Sequence, residues 1–239
     1  LATMLQAKNE TEHKTKEFLK STISDISHQL KTPLAALMMY QEIIEAEPDN
    51  TDTVKEFSQK IGLALKRMEQ LILSMLKITR LDTGNILFDK RACSVQELIK
   101  NAISELTTRA TQEKKQLIVQ GTPNQTVICD MDWTSEAIGN LVKNALDHTE
   151  AGGIIRITWE STPTMLRILV SDNGSGIAPE DIHHIFKRFY RSKYSLNIPG
   201  IGLGLPLAKS IIEGQGGLIS VQSVLHEGTT FSVSFLTKS

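Results

Sequence analysis

Thr51-Asp-Thr-Val54-Lys-Glu-Phe57-Ser-Gln-Lys-Ile61-Gly-Leu-Ala-Leu65-Lys-Arg-Met68-Glu-Gln-Leu-Ile72-Leu-Ser-Met75-Leu-Lys-Ile-Thr79 is the stretch on which the fold turns. Its apolar positions Val54, Phe57, Ile61, Leu65, Met68, Ile72, Met75 and Thr79 step by three or four, the heptad-like seam of a long amphipathic helix. Just upstream, Glu47-Pro-Asp-Asn-Thr-Asp52 gathers Pro and Asx residues and reads as a turn. Before that turn the chain is helical again: the first glycine is Gly62 and the first proline Pro33, and apolar residues recur at Ile26, Leu30, Pro33, Leu37 and Ile44. Two long helices joined by a short turn make an antiparallel hairpin. One hairpin cannot bury both seams, so two of them are expected to pair as a four-helix bundle, which implies a homodimer.

Beyond the hairpin the pattern changes. Strand-like runs fall at Leu117–Val119, Thr126–Cys129, Ile155–Trp159, Leu166–Ser171, Leu218–Val224 and Phe231–Phe235, and helical ones near Ser94–Thr111, Asp132–His148 and Leu203–Gly214. The mixed order predicts an α+β layer with helices on one face of a sheet. The expected organisation is the end of a linker helix over 1–14, the hairpin over 15–84, and a second domain over 85–239, with Asp82-Thr-Gly-Asn85 at the boundary.

Composition excludes several classes. The 239 residues are 40% hydrophobic with a formal net charge of -1, which suits globular structure and gives no electrostatic footprint for nucleic acid. Cys93 and Cys129 lie far apart without CxxC spacing and read as neither a zinc site nor a disulfide framework. No apolar run approaches the roughly 18 residues of a membrane span. Leu1 stands in what reads as mid-helix, which suggests a segment of a longer protein.

Five stretches carry chemistry. In Ser27-His-Gln-Leu-Lys-Thr-Pro-Leu34, His28 lies about 200° round the helix from Ile26 and about 160° from Leu30, so it points to solvent, with Thr32 one turn on. Pro33 removes a helical hydrogen bond below it. Alone, His28 is most simply an exposed bundle histidine; the sharper reading is a nucleophile that attacks phosphorus through one ring nitrogen. In Asn140-Leu-Val-Lys-Asn144-Ala-Leu-Asp147-His148, the residues Asn140, Asn144 and His148 form one polar stripe. It is either a solvated face or a set of amide oxygens for a hydrated magnesium ion or phosphate. Asp172-Asn-Gly174-Ser-Gly176 follows a strand, so it is a plain turn or a carboxylate placed to accept the adenine amino group. Gly200-Ile-Gly202-Leu203-Gly204-Leu205 opens a helix where backbone N–H groups can meet phosphates, without the Rossmann spacing. Between the glycine clusters, Ile185-Phe-Lys-Arg188-Phe-Tyr-Arg191 and polar Ser192–Asn197 read as core anchors beside a mobile lid with cationic side chains.

Taken in order, these stretches resemble the motifs of two-component histidine kinases, over essentially all of residues 15–237. Ser27–Leu34 is similar to the H-box with His28 as phosphoacceptor, and Asn140–Thr149 to the N-box with Asn144 at the magnesium position. Asp172–Gly176 is similar to the first glycine box, Phe186–Arg191 to the F-box, Gly200–Leu205 to the second glycine box, and Gly228-Thr229-Thr-Phe231 to the segment closing the adenine pocket. The resemblance implies a dimerisation and histidine-phosphotransfer bundle followed by an ATP-binding sandwich of the gyrase type. It implies ATP and Mg2+ as cofactors, with Asn140, Asn144, Asp147, His148, Asp172, Gly174, Gly176, Arg188, Arg191, Gly200, Gly202, Leu203, Gly204 and Thr229 around the nucleotide. Its partners would be a second copy and a response-regulator receiver domain. Thr32 would stand where a water could be positioned to dephosphorylate that regulator. The implied setting is a cytoplasmic domain whose parent is anchored in the cell membrane by other segments.

Three departures stand out. Gln29 follows the phosphoacceptor where the family usually has an acidic residue; Asp147 and His148 replace a frequent lysine and aromatic; Gln215 replaces a common histidine. Two other classes compete: an ATP hydrolase or conformational clamp on the same sandwich, and an interaction module without kinase activity. Hydrolytic relatives carry a general-base Glu where this chain has Asn140, an amide that cannot take a proton from water. Intact histidine and glycine boxes argue against the inert module, which Gln29 keeps in play.

Overall fold

The computed structural model describes residues 2–84, 86–195, 198 and 200–236, with side chains from Ile23 onward. The chain forms two compact units that divide between Leu73 and Ser74.

The first unit holds helix α1 (Ala2–Ala46) and most of α2 (Thr51–Asp82). Between them, Asn50 caps α2: its Oδ1 accepts from the Thr53 N–H at 3.2 Å, while its side-chain amide and the Thr53 hydroxyl both donate to Glu47 Oε2. Ile26, Leu30, Pro33, Leu37 and Ile44 are half-buried along α1, and Val54, Phe57, Ile61 and Met68 along α2. Tyr40 packs on Phe57 with ring centroids 5.5 Å apart. Two members of the expected single seam depart from it: Leu65 and Ile72 are exposed, as are Leu34, Met38, Met39, Leu63 and Leu73. At about 100° per residue Leu65 lies only about 40° from half-buried Ile61, so this seam is covered along one edge and open along the other.

The second unit begins inside α2. Met75 and Ile78 are buried, Lys77 Nζ sits 2.6 Å from Glu136 Oε1, and Trp133 meets Phe88 edge-on at 6.2 Å. The last turns of α2 therefore belong to the second unit's core, and the compact units part upstream of the break expected at Asp82–Asn85.

The following chain runs β1 (Arg91–Ser94), α3 (Val95–Ile103), α4 (Leu106–Gln112), β2 (Gln116–Gly121), β3 (Thr126–Cys129), α5 (Met131–His148), β4 (Ile154–Ser161), β5 (Met165–Asp172), α6 (Pro179–Ile182), α7 (Gly204–Gly214), β6 (Leu218–Val224) and β7 (Gly228–Leu236). β1 and β3 make an antiparallel ribbon. The main sheet has the order β2-β4-β5-β7-β6, with β2 and β4 parallel and the other neighbours antiparallel. Alternation decides its faces. Ile155, Ile157 and Trp159, then Leu166, Ile168 and Val170, then Phe231, Val233 and Phe235 are buried, as are Ile138, Leu141, Val142 and Leu146 of α5 and Leu207, Ile211 and Ile212 of α7. Each such side chain contributes about 1.5–3 kcal/mol by leaving water. Helices on one face of a mixed sheet match the α+β expectation.

Candidate functional site

His28 is exposed on α1, Thr32 is exposed one turn below it, and Gln29 is half-buried. Pro33 lies within α1 without ending it. The outward position read from helical geometry is the observed one.

The second constellation is built round α5. Asp130 caps its start by accepting from the Trp133 N–H at 3.2 Å. Gln215, buried just after α7, accepts from the Asp130 N–H at 2.6 Å and donates to Thr134 Oγ1 at 2.9 Å. The glutamine that replaces a common histidine is thus a strut between the two helices. Asn140 and Asn144 are half-buried on one side of α5; the Asn140 amide donates to the Glu136 carbonyl at 3.1 Å. A Cβ at Gly204 would stand 3.2 Å from Asn140 Oδ1, so α7 starts directly against this asparagine.

At the other end of α5, the His148 carbonyl accepts from the Ser175 N–H at 3.0 Å, and a Cβ on Gly174 would lie 2.2 Å from that carbonyl oxygen. Gly176, at φ +66, passes so close to Val224 that a Cβ would meet its carbonyl oxygen at 2.0 Å. These two glycines let the loop approach its own chain, a different use from the ligand approach read in the sequence. Burial depresses the His148 imidazole below its ordinary value, as does nearby Arg191, while Asp147 opposes them.

Asp172 ends β5, paired in register with Thr229. Its Oδ1 accepts from the Gly174 N–H at 2.9 Å. Burial raises its carboxyl above the usual range, and hydrogen bonds from the Gly174 and Thr229 backbones hold it back. Next door, Asn173 Oδ1 accepts from the Ile154 N–H at 2.7 Å. Thr229 is buried with its hydroxyl 3.0 Å from Ser223 Oγ, which in turn accepts from the Ile177 N–H. Asp172, Thr229, Ser223 and the loop at Gly174–Ile177 therefore form one connected polar group beside the end of α5.

The aromatic segment packs as expected of core anchors: Phe186 meets Phe231 edge-on at 6.3 Å. Phe189 adopts φ +61 and its N–H donates to the Gly202 carbonyl, where Gly202 itself has φ +74. The Tyr190 hydroxyl donates to Asp181 Oδ1 at 2.5 Å, which pushes the phenol up to about 12, and Ser192 followed by Tyr190 holds Asp181 below its ordinary value. Sequence reasoning passed over Asp181, because nothing links it to Tyr190 until the turn after α6 closes.

Several expected nucleotide contacts are engaged elsewhere. Asp147 pairs with Arg109 of α4 at 2.6 Å. Arg188 pairs with Asp82 at the end of α2. Arg191 donates to the carbonyls of Ser195 and Ile198 at 2.7 and 2.5 Å. The Leu203 side chain is buried in the core, so only its backbone can line a site. Gly200 is exposed with open space where a side chain would stand. Leu196, Asn197 and Pro199 lie outside the described residues.

Among the described residues no three His, Cys, Asp or Glu side chains converge on a metal site. A magnesium ion here would depend on the Asn144 amide oxygen and on oxygens brought by the nucleotide, which suits a hard cation.

Comparison with known proteins agrees with this geometry. Residues 18–84 match the His Kinase A (phospho-acceptor) domain, and residues 129–239 the histidine kinase-, DNA gyrase B- and HSP90-like ATPase family. The sensor-like histidine kinase SenX3 of Mycobacterium tuberculosis (strain ATCC 25618 / H37Rv) is 28% identical over 214 residues, 89% of this chain and 52% of its own length. Sensor protein SrrB of Staphylococcus aureus (strain MRSA252) is 30% identical over 225 residues, 93% of this chain and 39% of its own. The chain thus spans about half or less of these relatives. The solved structure of histidine kinase ThkA in complex with response regulator protein TrrA shares the fold, with a TM-score of 0.77 at 22% identity over 97% of this chain and 66% of that one.

Proposed function

The chain belongs to the sensor histidine kinases of two-component signalling, whose catalytic core it forms, and from that premise we propose that it uses ATP to phosphorylate His28 and then passes the phosphoryl group to an aspartate of a response regulator. The observation that carries this is the pairing, in one chain, of a solvent-facing helical histidine with the polar group round Asp172 and Thr229. Asp172 accepts a hydrogen bond from the adenine amino group, and the Asn144 side-chain oxygen would help hold a magnesium ion, which would neutralise phosphate charge. Asn140 and the N–H groups at the start of α7 border the phosphates. His28 attacks in line through one ring nitrogen, and Gln29 orients the ring by accepting from the other. Engagement of Arg188 or Arg191 with the phosphates requires leaving the partners described above. The response regulator is the second partner, and Thr32 positions a water for its dephosphorylation.

Hydrolysis is disfavoured because Asn140 stands where hydrolytic relatives place a base, and its amide donates to a backbone carbonyl. A homodimer is supported by the exposed apolar pairs Leu34 and Met38 on α1 and Leu65 and Ile72 on α2, each pair sharing one side of its helix. We keep the functional boundary at 84/85, where the phospho-acceptor match ends, with 1–14 as the end of a linker helix. No helix among the described residues is long and apolar enough to cross a membrane; we assign any membrane anchor to other parts of the parent, with this core on its cytoplasmic side.

The test is incubation with labelled ATP and magnesium. The wild type should acquire acid-labile, base-stable phosphate and His28→Ala none. Undiminished labelling of His28→Ala would falsify the assignment, and phosphate release without labelling would favour the hydrolase.

A further inference from the structure

Cys93 and Cys129 stand 36 positions apart in sequence, yet the β1–β3 ribbon brings them together. Cys93 lies opposite Val127 and Cys129 opposite Arg91, so the two are diagonal neighbours on one face of the ribbon. Both point inward, 4% and 0% exposed. Cys93 Sγ is 3.4 Å from the Cys129 carbonyl oxygen, and the Cys93 thiol is close enough to contribute to the raised pKa of the Cys129 thiol. Both are reduced in this structure. Cys93 also lines an open depression with Asp89, Arg91, Glu97, Asp130 and Asp132, which gives a small solute a path to it from solvent.

We propose that Cys93 and Cys129 are a redox modification site, closed into an intramolecular disulfide by a peroxide-class oxidant arriving through this depression and reopened by a dithiol. The Cys93 thiolate attacks one peroxide oxygen; the O–O bond breaks, Cys93 becomes a sulfenic acid, and hydroxide leaves as water after taking a proton. The Cys129 sulfur then attacks the Cys93 sulfur; the S–O bond breaks and a second water carries away the Cys129 proton. Two thiols together surrender two electrons to one peroxide. Burial pushes the Cys129 thiol up to about 12, which makes it the slower, resolving partner. Diagonal Cα atoms in such ribbons are about 7–8 Å apart, and disulfides span about 4.4–6.8 Å, so closure requires a small tightening of a two-stranded ribbon. The bond would tie β1 to β3, whose last residue precedes the Asp130 cap of α5. It would therefore stiffen the start of the helix that carries Asn140 and Asn144.

These are the only cysteines in the chain, so the test has no background. The 239-residue chain is treated with hydrogen peroxide, denatured, alkylated and weighed. The expected product is a monomeric chain that has lost two hydrogen atoms, takes up no alkylating agent, and regains two labels after dithiothreitol. Its melting temperature should rise by about 5–10 °C over the reduced form. Cys93→Ala and Cys129→Ala should each abolish the product; if either fails to fold, the comparison of wild type with and without dithiothreitol stands alone. Two alkylatable thiols after peroxide, a cross-link between chains, or oxygen added at Cys93 without closure would each overturn the proposal.

Discussion

Asp172 is subject to opposing demands. Its raised carboxyl pKa means the fold disfavours its charge, because burial outweighs the two backbone N–H groups that hold it. A carboxyl raised in the folded state costs stability above its unfolded value, near 4, since the unfolded chain carries the charge more easily. Asp172→Asn should therefore leave the nucleotide-free protein as stable or more so at neutral pH, by thermal melting. The same change should weaken ATP by about 1–3 kcal/mol, by calorimetry, because a neutral acceptor replaces a charged one. In the wild type, ATP affinity should fall as pH drops through the raised pKa; a flat profile with Asp172→Asn as tight as wild type would remove this residue from the site. His148 gives the reverse sign. Its imidazole is depressed in the fold, so stability should decline as pH falls below about 6.5, where the unfolded chain binds the proton first. At His28, Gln29→Glu should raise the initial rate of autophosphorylation by about 10-fold or more, since a carboxylate can take the proton that an amide only orients. An unchanged rate for both Gln29→Glu and Gln29→Ala would make the residue a bystander.

Among the elements, those with strong period or strong caps were legible in sequence. β3 and β6 lie where the apolar runs placed them, and α5 and α7 begin within one residue of expectation. The run read as one helix from Ser94 is two helices, because Ser104 Oγ turns back to the Asn101 carbonyl at 3.0 Å and ends α3. β1 was missed since its four residues run straight into the Ser94 cap of α3, which the eye reads as a helix start. The seam of α2 carried a subtler ambiguity: a heptad pattern counts apolar residues without saying which partner covers them. Ile61 is half-buried and Leu65 exposed, and the distinction is testable. Leu65→Glu should give a monomer that keeps its helicity, by light scattering and circular dichroism, whereas Ile61→Glu should lose helicity as well, because it forces charge into the hairpin. If Leu65→Glu still dimerises, another surface holds the copies together.

For the whole molecule, the sequence placed the domain break at a Gly and Asn cluster, a sound rule for linkers. It could not show that a helix started in one unit finishes in the core of the next. Met75, Ile78 and the Lys77–Glu136 pair belong to the second unit, so a fragment of residues 74–239 should melt above one of residues 86–239, with ATP binding retained in the longer piece. Equal melting temperatures would show that the α2 tail contributes nothing. The proposed nucleotide site was legible as motifs but not as bonds: Arg188 and Arg191 carry the charge for phosphate contact and Asp147 holds an N-box position, and only the fold shows them engaged with Asp82, two carbonyls and Arg109. A stored molecule also has a lifetime, and one loop bears on it. Asn173-Gly174 is the dipeptide type that deamidates most readily, when the glycine nitrogen attacks the asparagine side chain. Here the Gly174 N–H is held by Asp172 and Asn173 Oδ1 by the Ile154 N–H, which turns both reactants away from cyclisation. Shelf ageing at this loop is thus gated by opening of the hydrogen bonds around Asp172.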